Sequence, residues 1–203
     1  MNAVYNNYFQ KFHSLEEYYM GKWPAKLTGV IVASTFKEEI ENIISKHQLK
    51  IKVSENNSYI IGQKTEFDFL LLKEDAEGIN GLPIYRVEDV IAIIESKTNG
   101  VMDFDSDGWS TSLMLLSNSF NAVWKLNNNI RFGYMTMAER RPKTAKNRDS
   151  WENTCRCFNT YIENEAVSVT FAASLHHSYG KPYEYGTDKE WEDFVLTLVG
   201  KIN

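Results

Sequence analysis

Two short stretches place acidic and basic side chains where strand-like segments begin or end. In "VIAIIESK" the apolar residues 90–94 are followed by Glu95, Ser96 and Lys97. In "EFDFLLLK" Asp68 stands at the start of an apolar run. Alternate residues of a strand share a face, so Glu95 and Lys97 point the same way. A carboxylate and an ammonium in this arrangement can bind a metal ion and stabilise charge on a phosphate.

The spacing also predicts that Asp68 and Glu95 meet. If the two strands pair antiparallel, Asp68 near the start of one lies beside Glu95 near the end of the other. Adjacent carboxylates repel unless one is protonated or a cation binds between them. Mg²⁺ prefers one or two carboxylates together with waters and a substrate phosphate. The pattern therefore predicts a magnesium site with Lys97 next to it.

The stretches "TEFDFLLL" and "VIAIIESK" resemble the PD-(D/E)XK nuclease superfamily, most clearly over residues 34–100. The resemblance implies a restriction-endonuclease-like αβββαβ core and metal-dependent hydrolysis of phosphodiester bonds. It implies that Asp68 and Glu95 bind Mg²⁺ or Mn²⁺ and that Lys97 assists the attacking water. A role in bacterial defence, restriction or repair is implied by the resemblance alone.

Many members of that superfamily carry a further glutamate on the first core helix. The segment "STFKEEIENIISKH" is predicted to be this helix and offers Glu38, Glu39 and Glu41. At 100° per residue, Glu39 lies nearest the apolar stripe that would face the sheet. We therefore expect Glu39 to be the additional metal or water ligand.

The elements predicted along the chain follow the order α, three or four strands, then α, β, α, β, α. This order indicates an α/β fold with a mixed central sheet flanked by helices. The chain of 203 residues suits a single domain. We expect a helical extension over residues 1–33 and the nuclease-like core, with a C-terminal elaboration, over 34–203.

Composition narrows the class of protein. No run approaches the roughly 18 apolar residues of a membrane span, and the N-terminus lacks the pattern of a secretory signal. The two cysteines, Cys155 and Cys157, fit neither a disulfide framework nor a zinc site. These features predict a cytoplasmic protein with no membrane partner.

Net charge is −5, which argues against nonspecific coating of nucleic acid. One concentrated basic run, "ERRPKTAKNRD", stands out against this acidic background. If the chain binds nucleic acid, the residues expected to contact phosphates are Arg140, Arg141, Lys143 and Lys146. The resemblance favours DNA over RNA as the partner, and it implies a homodimer, because small nucleases of this kind often cut two strands as dimers.

Two alternatives stay open at this stage. The chain is also compatible with an immunity-type or binding protein that keeps the nuclease fold without catalysis and acts through a protein partner. Separately, Asp103, Asp105 and Asp107 match the first half of a calcium-binding EF-hand loop. The twelfth position is Met114 instead of Glu, which favours an acidic turn that caps the next helix.

Overall fold

The computed structural model describes most of the chain. The described residues are 3–19, 24, 26–97, 104–105, 108–109, 111–136, 167–169 and 188–202. Among these residues, no helix combines the length and the apolar character needed to cross a bilayer.

Four helices and ten strands lie within the described part. The helices are α1 (Ala3–Tyr19), α2 (Leu27–Lys46), α3 (Thr111–Trp124) and α4 (Asp188–Leu198). The first six strands are β1 (Ile51–Val53), β2 (Ser58–Ile60), β3 (Glu66–Phe67), β4 (Phe69–Lys73), β5 (Ile84–Tyr85) and β6 (Val90–Lys97). The remaining strands are β7 (Phe104–Asp105), β8 (Gly108–Trp109), β9 (Arg131–Thr136) and β10 (Val167–Val169).

The main sheet has five strands in the order β1-β4-β6-β9-β10. Its first three strands pair antiparallel, whereas β6 with β9 and β9 with β10 are parallel. With α2 and α3 the chain order around this sheet is α2, β1, β4, β6, α3, β9, which is an αβββαβ core. The prediction of an α/β fold with a mixed sheet between helices is therefore confirmed.

The central strands are fully buried because apolar side chains cover both faces of the sheet. Phe69 and Leu71 of β4 join α2 and α4 in one core cluster, and Leu70 and Leu72 join α3 in another. All four side chains are inaccessible to solvent. Two-sided burial explains why this part of the sequence is a continuous apolar run instead of an alternating one.

The segment "EFDFLLLK" is not the single strand predicted from its sequence. Asp68 is a bend between β3, which pairs with β2 in a small sheet of β3-β2-β5, and β4 of the main sheet. In a single strand, Phe67 would lie on the same face as Phe69. Phe67 packs in the cluster of Leu70 on the other face, because the bend at Asp68 breaks the two-residue period.

The first core helix begins earlier than predicted. We expected it to start at Ser34 because Ser and Thr are favoured helix caps. In the structure α2 begins at Leu27, so Ser34 and Thr35 lie inside the helix. The Thr35 hydroxyl donates to the Ile31 carbonyl at 2.8 Å, which satisfies this buried hydroxyl without ending the helix.

Helix α4 packs against β9 at a glycine. A Cβ atom at Gly133 would lie 2.6 Å from Cζ of Phe194 and 2.8 Å from Cδ1 of Leu198. Both of these α4 side chains are buried in the core. The close approach of α4 to the sheet therefore depends on the missing side chain at Gly133.

Gly133→Val is expected to lower the free energy of unfolding by about 1–3 kcal/mol, because the added methyl groups overpack the contact with α4. Urea unfolding of the full chain measures this change. Gly29→Ala is the matched control, since a Cβ there meets nothing within 4 Å and α2 gains helix propensity. Equal stability of Gly133→Val and the wild type would contradict the packing described.

Candidate active site

The pairing of β4 with β6 places the two predicted carboxylates on neighbouring chain segments. The register places Phe69 opposite Ile94 and Leu70 opposite Ile93 in an antiparallel ladder. Asp68 and Glu95 are the next residues along these two chains, so they follow the ladder at the same end. Both side chains are half-buried. We refer to Asp68 and Glu95 as the carboxylate pair.

Asp68 is held in place by the residue between Glu95 and Lys97. Its Oδ2 accepts a hydrogen bond from the Ser96 backbone N–H at 2.7 Å and another from the Ser96 hydroxyl at 3.0 Å. A part-buried backbone N–H needs such a partner, and a charged acceptor makes a strong one. One carboxylate oxygen of Asp68 is thus fixed to β6, and the orientation of the whole group is restricted.

The start of β4 is anchored from the other side as well. Ser54, just after β1, accepts a hydrogen bond at its Oγ from the Leu70 backbone N–H, and its own N–H donates to the Leu70 carbonyl. Both distances are 2.9 Å. The bend at Asp68 is therefore positioned by backbone contacts on both neighbouring strands.

A buried tyrosine lies beside the carboxylate pair. Tyr134 of β9 is opposite Glu95 in the parallel ladder and has no solvent exposure. Burial raises the pKa of Tyr134 far above its ordinary value, and the negative charges of Glu95 and Asp68 raise it further. The phenol therefore stays protonated and neutral at physiological pH and is excluded as a general base.

Other residues predicted for the site are only partly described. The backbone of Lys97 ends β6 opposite Thr136 of β9, two residues beyond Glu95. The predicted phosphate-contacting residues Arg140, Arg141, Lys143 and Lys146 lie outside the described residues. Of the predicted calcium loop, Asp105 lies in β7, which forms a two-stranded ladder with β8. Asp103 and Asp107 lie outside the described part.

Glu39 contacts the N-terminal helix. Its carboxylate accepts a hydrogen bond from the Asn7 side chain of α1 at 3.0 Å, and the same amide also donates to Glu38. Within the described part of the chain, no three His, Cys, Asp or Glu residues form a group able to hold a metal ion. The structure therefore does not bring Glu39 together with the carboxylate pair, and its role as a ligand stays a prediction.

The donor set fits one kind of metal ion. Two carboxylates on neighbouring strands match the hard oxygen ligands of Mg²⁺ or Mn²⁺, with further positions left for water and phosphate. A closed structural zinc site needs four protein ligands, commonly Cys and His. No such cluster occurs among the described residues. Asp68 and Glu95 would hold the ion, and Ser96 would orient Asp68 toward it.

Comparison with known proteins identifies similar structures but no similar sequences. No protein-family model matches the chain, and no curated protein sequence matches it. The structure of NucC from P. aeruginosa ATCC27853 in its cAAA-bound form is similar, with a TM-score of 0.56 at 9% identity. The match covers 98% of this chain and 88% of that one. The apo form of NucC from E. coli MS115-1 gives a TM-score of 0.46 at 10% identity, over 96% and 88% of the two chains.

The likeness to the P. aeruginosa structure shows that the chain has the NucC nuclease fold. It extends over nearly the whole chain, so the fold includes the elements outside the αβββαβ core. The resemblance seen in the sequence was limited to about a third of the chain. The two observations agree on the fold.

Sequence reasoning missed two residues next to the carboxylate pair. Ser96 was treated as the unspecified middle residue of E-x-K, although a small polar residue at the end of an apolar strand is itself a signal. Tyr134 was read only as part of a strand, because the parallel neighbour of β6 is not evident from local pattern. Ser96 donates hydrogen bonds to Asp68, and Tyr134 lies opposite Glu95 in the ladder, so both neighbours depend on tertiary structure.

Proposed function

We propose that this chain is a nuclease that uses Mg²⁺ or Mn²⁺ to hydrolyse phosphodiester bonds of DNA. Asp68 and Glu95 bind the ion, and Lys97 acts on the reacting phosphate. Its biological setting is bacterial defence, restriction or repair.

The observation that carries the proposal is the meeting of Asp68 with β6 at Ser96. Two hydrogen bonds fix the carboxylate there, beside Glu95 in the register of the same strand. The nuclease fold supports the same reading.

The residues divide the chemistry between them. A water molecule attacks phosphorus, and the bond from phosphorus to the leaving oxygen breaks. The metal, when bound, supplies Lewis acidity and a lowered pKa for water. Asp68 and Glu95 set its position, and Lys97 stabilises the negative charge that develops on the phosphate. Tyr134 contributes no negative charge beneath the pair, because burial and the two carboxylates keep its phenol protonated.

A cleavage assay tests the proposal. Supercoiled, linear and single-stranded DNA and an RNA of the same sequence are incubated with the protein in Mg²⁺, in Mn²⁺ and in EDTA. We expect cleavage of DNA with either metal and none in EDTA. A folded protein that cleaves no substrate and shows no metal-induced rise in melting temperature would overturn the proposal and favour the catalytically silent binding protein.

Ser96 is expected to act as a positioning residue for Asp68. Ser96→Ala removes the hydroxyl donor but keeps the backbone N–H, so we expect about 10-fold weaker Mg²⁺ binding. Isothermal titration of Mg²⁺ measures the change without depending on turnover. Ser96→Thr keeps the hydroxyl and should restore most of the affinity. Equal Mg²⁺ affinity of the wild type and Ser96→Ala would contradict this role.

A further inference from the structure

A pocket opens directly beside Asp68 and Ser96. It has a volume of about 640 Å³, within the range of about 300–1,000 Å³ that holds drug-sized ligands. We call it the α2 pocket. Its lining comes from the start of α2, the β1–β2 turn and the bend at Asp68, and it includes Lys26, Thr28, Gly29, Asn56, Asn57 and Phe69.

The lining combines apolar and polar surface. Val30 is exposed and Ala33 is half-buried, so both offer apolar surface to a ligand, whereas Phe69 and Val32 are buried. Asn56 and Asn57 are exposed and carry amide donors and acceptors. Lys26 is also exposed and is the cation of the lining. This combination suits a flat apolar group joined to a polar, negatively charged one.

We propose that the α2 pocket binds one unpaired nucleotide of the DNA strand being cut, next to the scissile phosphate. The inference rests on the proposed function, because it uses the position of Asp68 as the reacting centre. The base and sugar lie against Val30 and Ala33, and Lys26 contacts the adjoining phosphate. A base cannot occupy a pocket while it is paired and stacked in a duplex, so the nucleotide is at a strand end, in single-stranded DNA or flipped out of a duplex.

A second pocket does not compete for this role. It measures about 590 Å³ and lies between the C-terminal end of α2 and the edge strand β1. Its lining includes Glu41, Gln48, Lys52 and Glu74 but neither member of the carboxylate pair. A nucleotide bound there would have no contact with the proposed metal ligands.

Gly29 offers a way to fill the α2 pocket without disturbing the fold. A Cβ at this position meets nothing within 4 Å, so a larger side chain enters open space. Replacing a helical glycine also removes an unfavourable residue from α2. Gly29→Phe is therefore the blocking variant. Asn42→Phe adds the same ring at an exposed position of α2 outside the pocket and is the matched control.

The test measures the binding of a short fluorescein-labelled oligothymidylate by fluorescence anisotropy. EDTA is present, so the result does not depend on turnover. We expect Gly29→Phe to weaken binding at least about 10-fold, since the ring occupies the space of the nucleotide. Asn42→Phe should bind like the wild type. Lys26→Gln should reduce the slope of log affinity against log salt by about 0.7, the share of one phosphate contact on a single strand.

The outcomes separate this inference from the proposed function. Cleavage by the wild type, with binding and cleavage unchanged in a folded Gly29→Phe variant, would overturn the α2 pocket and leave the nuclease standing. Binding that Gly29→Phe abolishes, in a protein that cleaves nothing, would keep the pocket and overturn the nuclease. Failure of the wild type to bind the oligonucleotide would also overturn the pocket.

Discussion

Asp68→Asn is expected to lower metal-dependent DNA cleavage on the order of 1,000-fold, since a single group that stabilises reacting charge is worth about 10²–10³ in rate. Asparagine keeps the shape of aspartate, and its carbonyl oxygen still accepts the Ser96 hydrogen bonds seen at Asp68. The fold should therefore persist while the negative charge at the metal site is lost. Single-turnover cleavage of plasmid DNA in Mg²⁺ measures the effect.

Asp75→Asn provides the matched control for this substitution. Asp75 is an exposed carboxylate beyond the opposite end of β4, so the chemical change is the same and the location differs. Its cleavage rate should equal that of the wild type. Glu95→Gln should lower the cleavage rate as much as Asp68→Asn does. The double variant should lower it little further, because the effects of residues that act as a unit are not additive. Full cleavage by Asp68→Asn would remove the carboxylate pair from the mechanism.

Phe36→Ala is expected to lower the free energy of unfolding by about 3–5 kcal/mol, the usual cost of truncating a buried phenylalanine. Phe36 of α2 has no solvent exposure and stacks on Trp191 of α4, with ring centroids 5.3 Å apart. It also belongs to the cluster that covers Phe69 and Ile94. Its loss therefore leaves a cavity where two helices meet the face of the sheet below the site.

Urea unfolding of the full chain measures this loss of stability. Tyr18→Ala is the control, since the Tyr18 side chain is 73% exposed on α1. Its removal should lower the free energy of unfolding by no more than about 0.5 kcal/mol. A loss below about 1 kcal/mol for Phe36→Ala would mean that α2 and α4 do not pack on the sheet as described.

The fold class could be predicted from local sequence patterns, but the bend at Asp68 could not. The apolar runs of β4 and β6 are long and buried on both faces, so their strands and the order of elements were evident in the sequence. The bend at Asp68 was not evident, because Phe67 and Phe69 on both sides of it are apolar and no Gly or Pro marks a turn there. Only the pairing of β3 with β2 shows that the chain leaves the main sheet there.

The antiparallel pairing that the carboxylate pair requires could be predicted from the sequence, because both strands are apolar runs with acids at matching ends. The structure has this pairing, with Phe69 opposite Ile94 and Leu70 opposite Ile93, and the joint role of Asp68 and Glu95 as ligands stays a prediction. The neighbours of the pair depend on contacts between distant segments. Tyr134 reaches Glu95 through a parallel ladder, and the α2 pocket combines the start of a helix, a turn and a strand end. No periodicity within a segment encodes such contacts.

Glu39 illustrates a limit of helical-wheel reasoning. The wheel placed it beside the apolar stripe of α2, but that stripe borders two partners, the sheet and α1. In the structure Glu39 accepts a hydrogen bond from Asn7 of α1. The angle of a residue on a helix therefore predicts its burial better than it predicts which neighbour it contacts.

Locating Mn²⁺ by anomalous diffraction in crystals grown with the metal tests the central claim most directly. We expect one strong peak within about 2.5 Å of carboxylate oxygens from both Asp68 and Glu95, and we expect it to disappear in Asp68→Asn crystals. Crystals saturated with Mn²⁺ that show no peak at the pair, or only a peak bound by other residues, would contradict it.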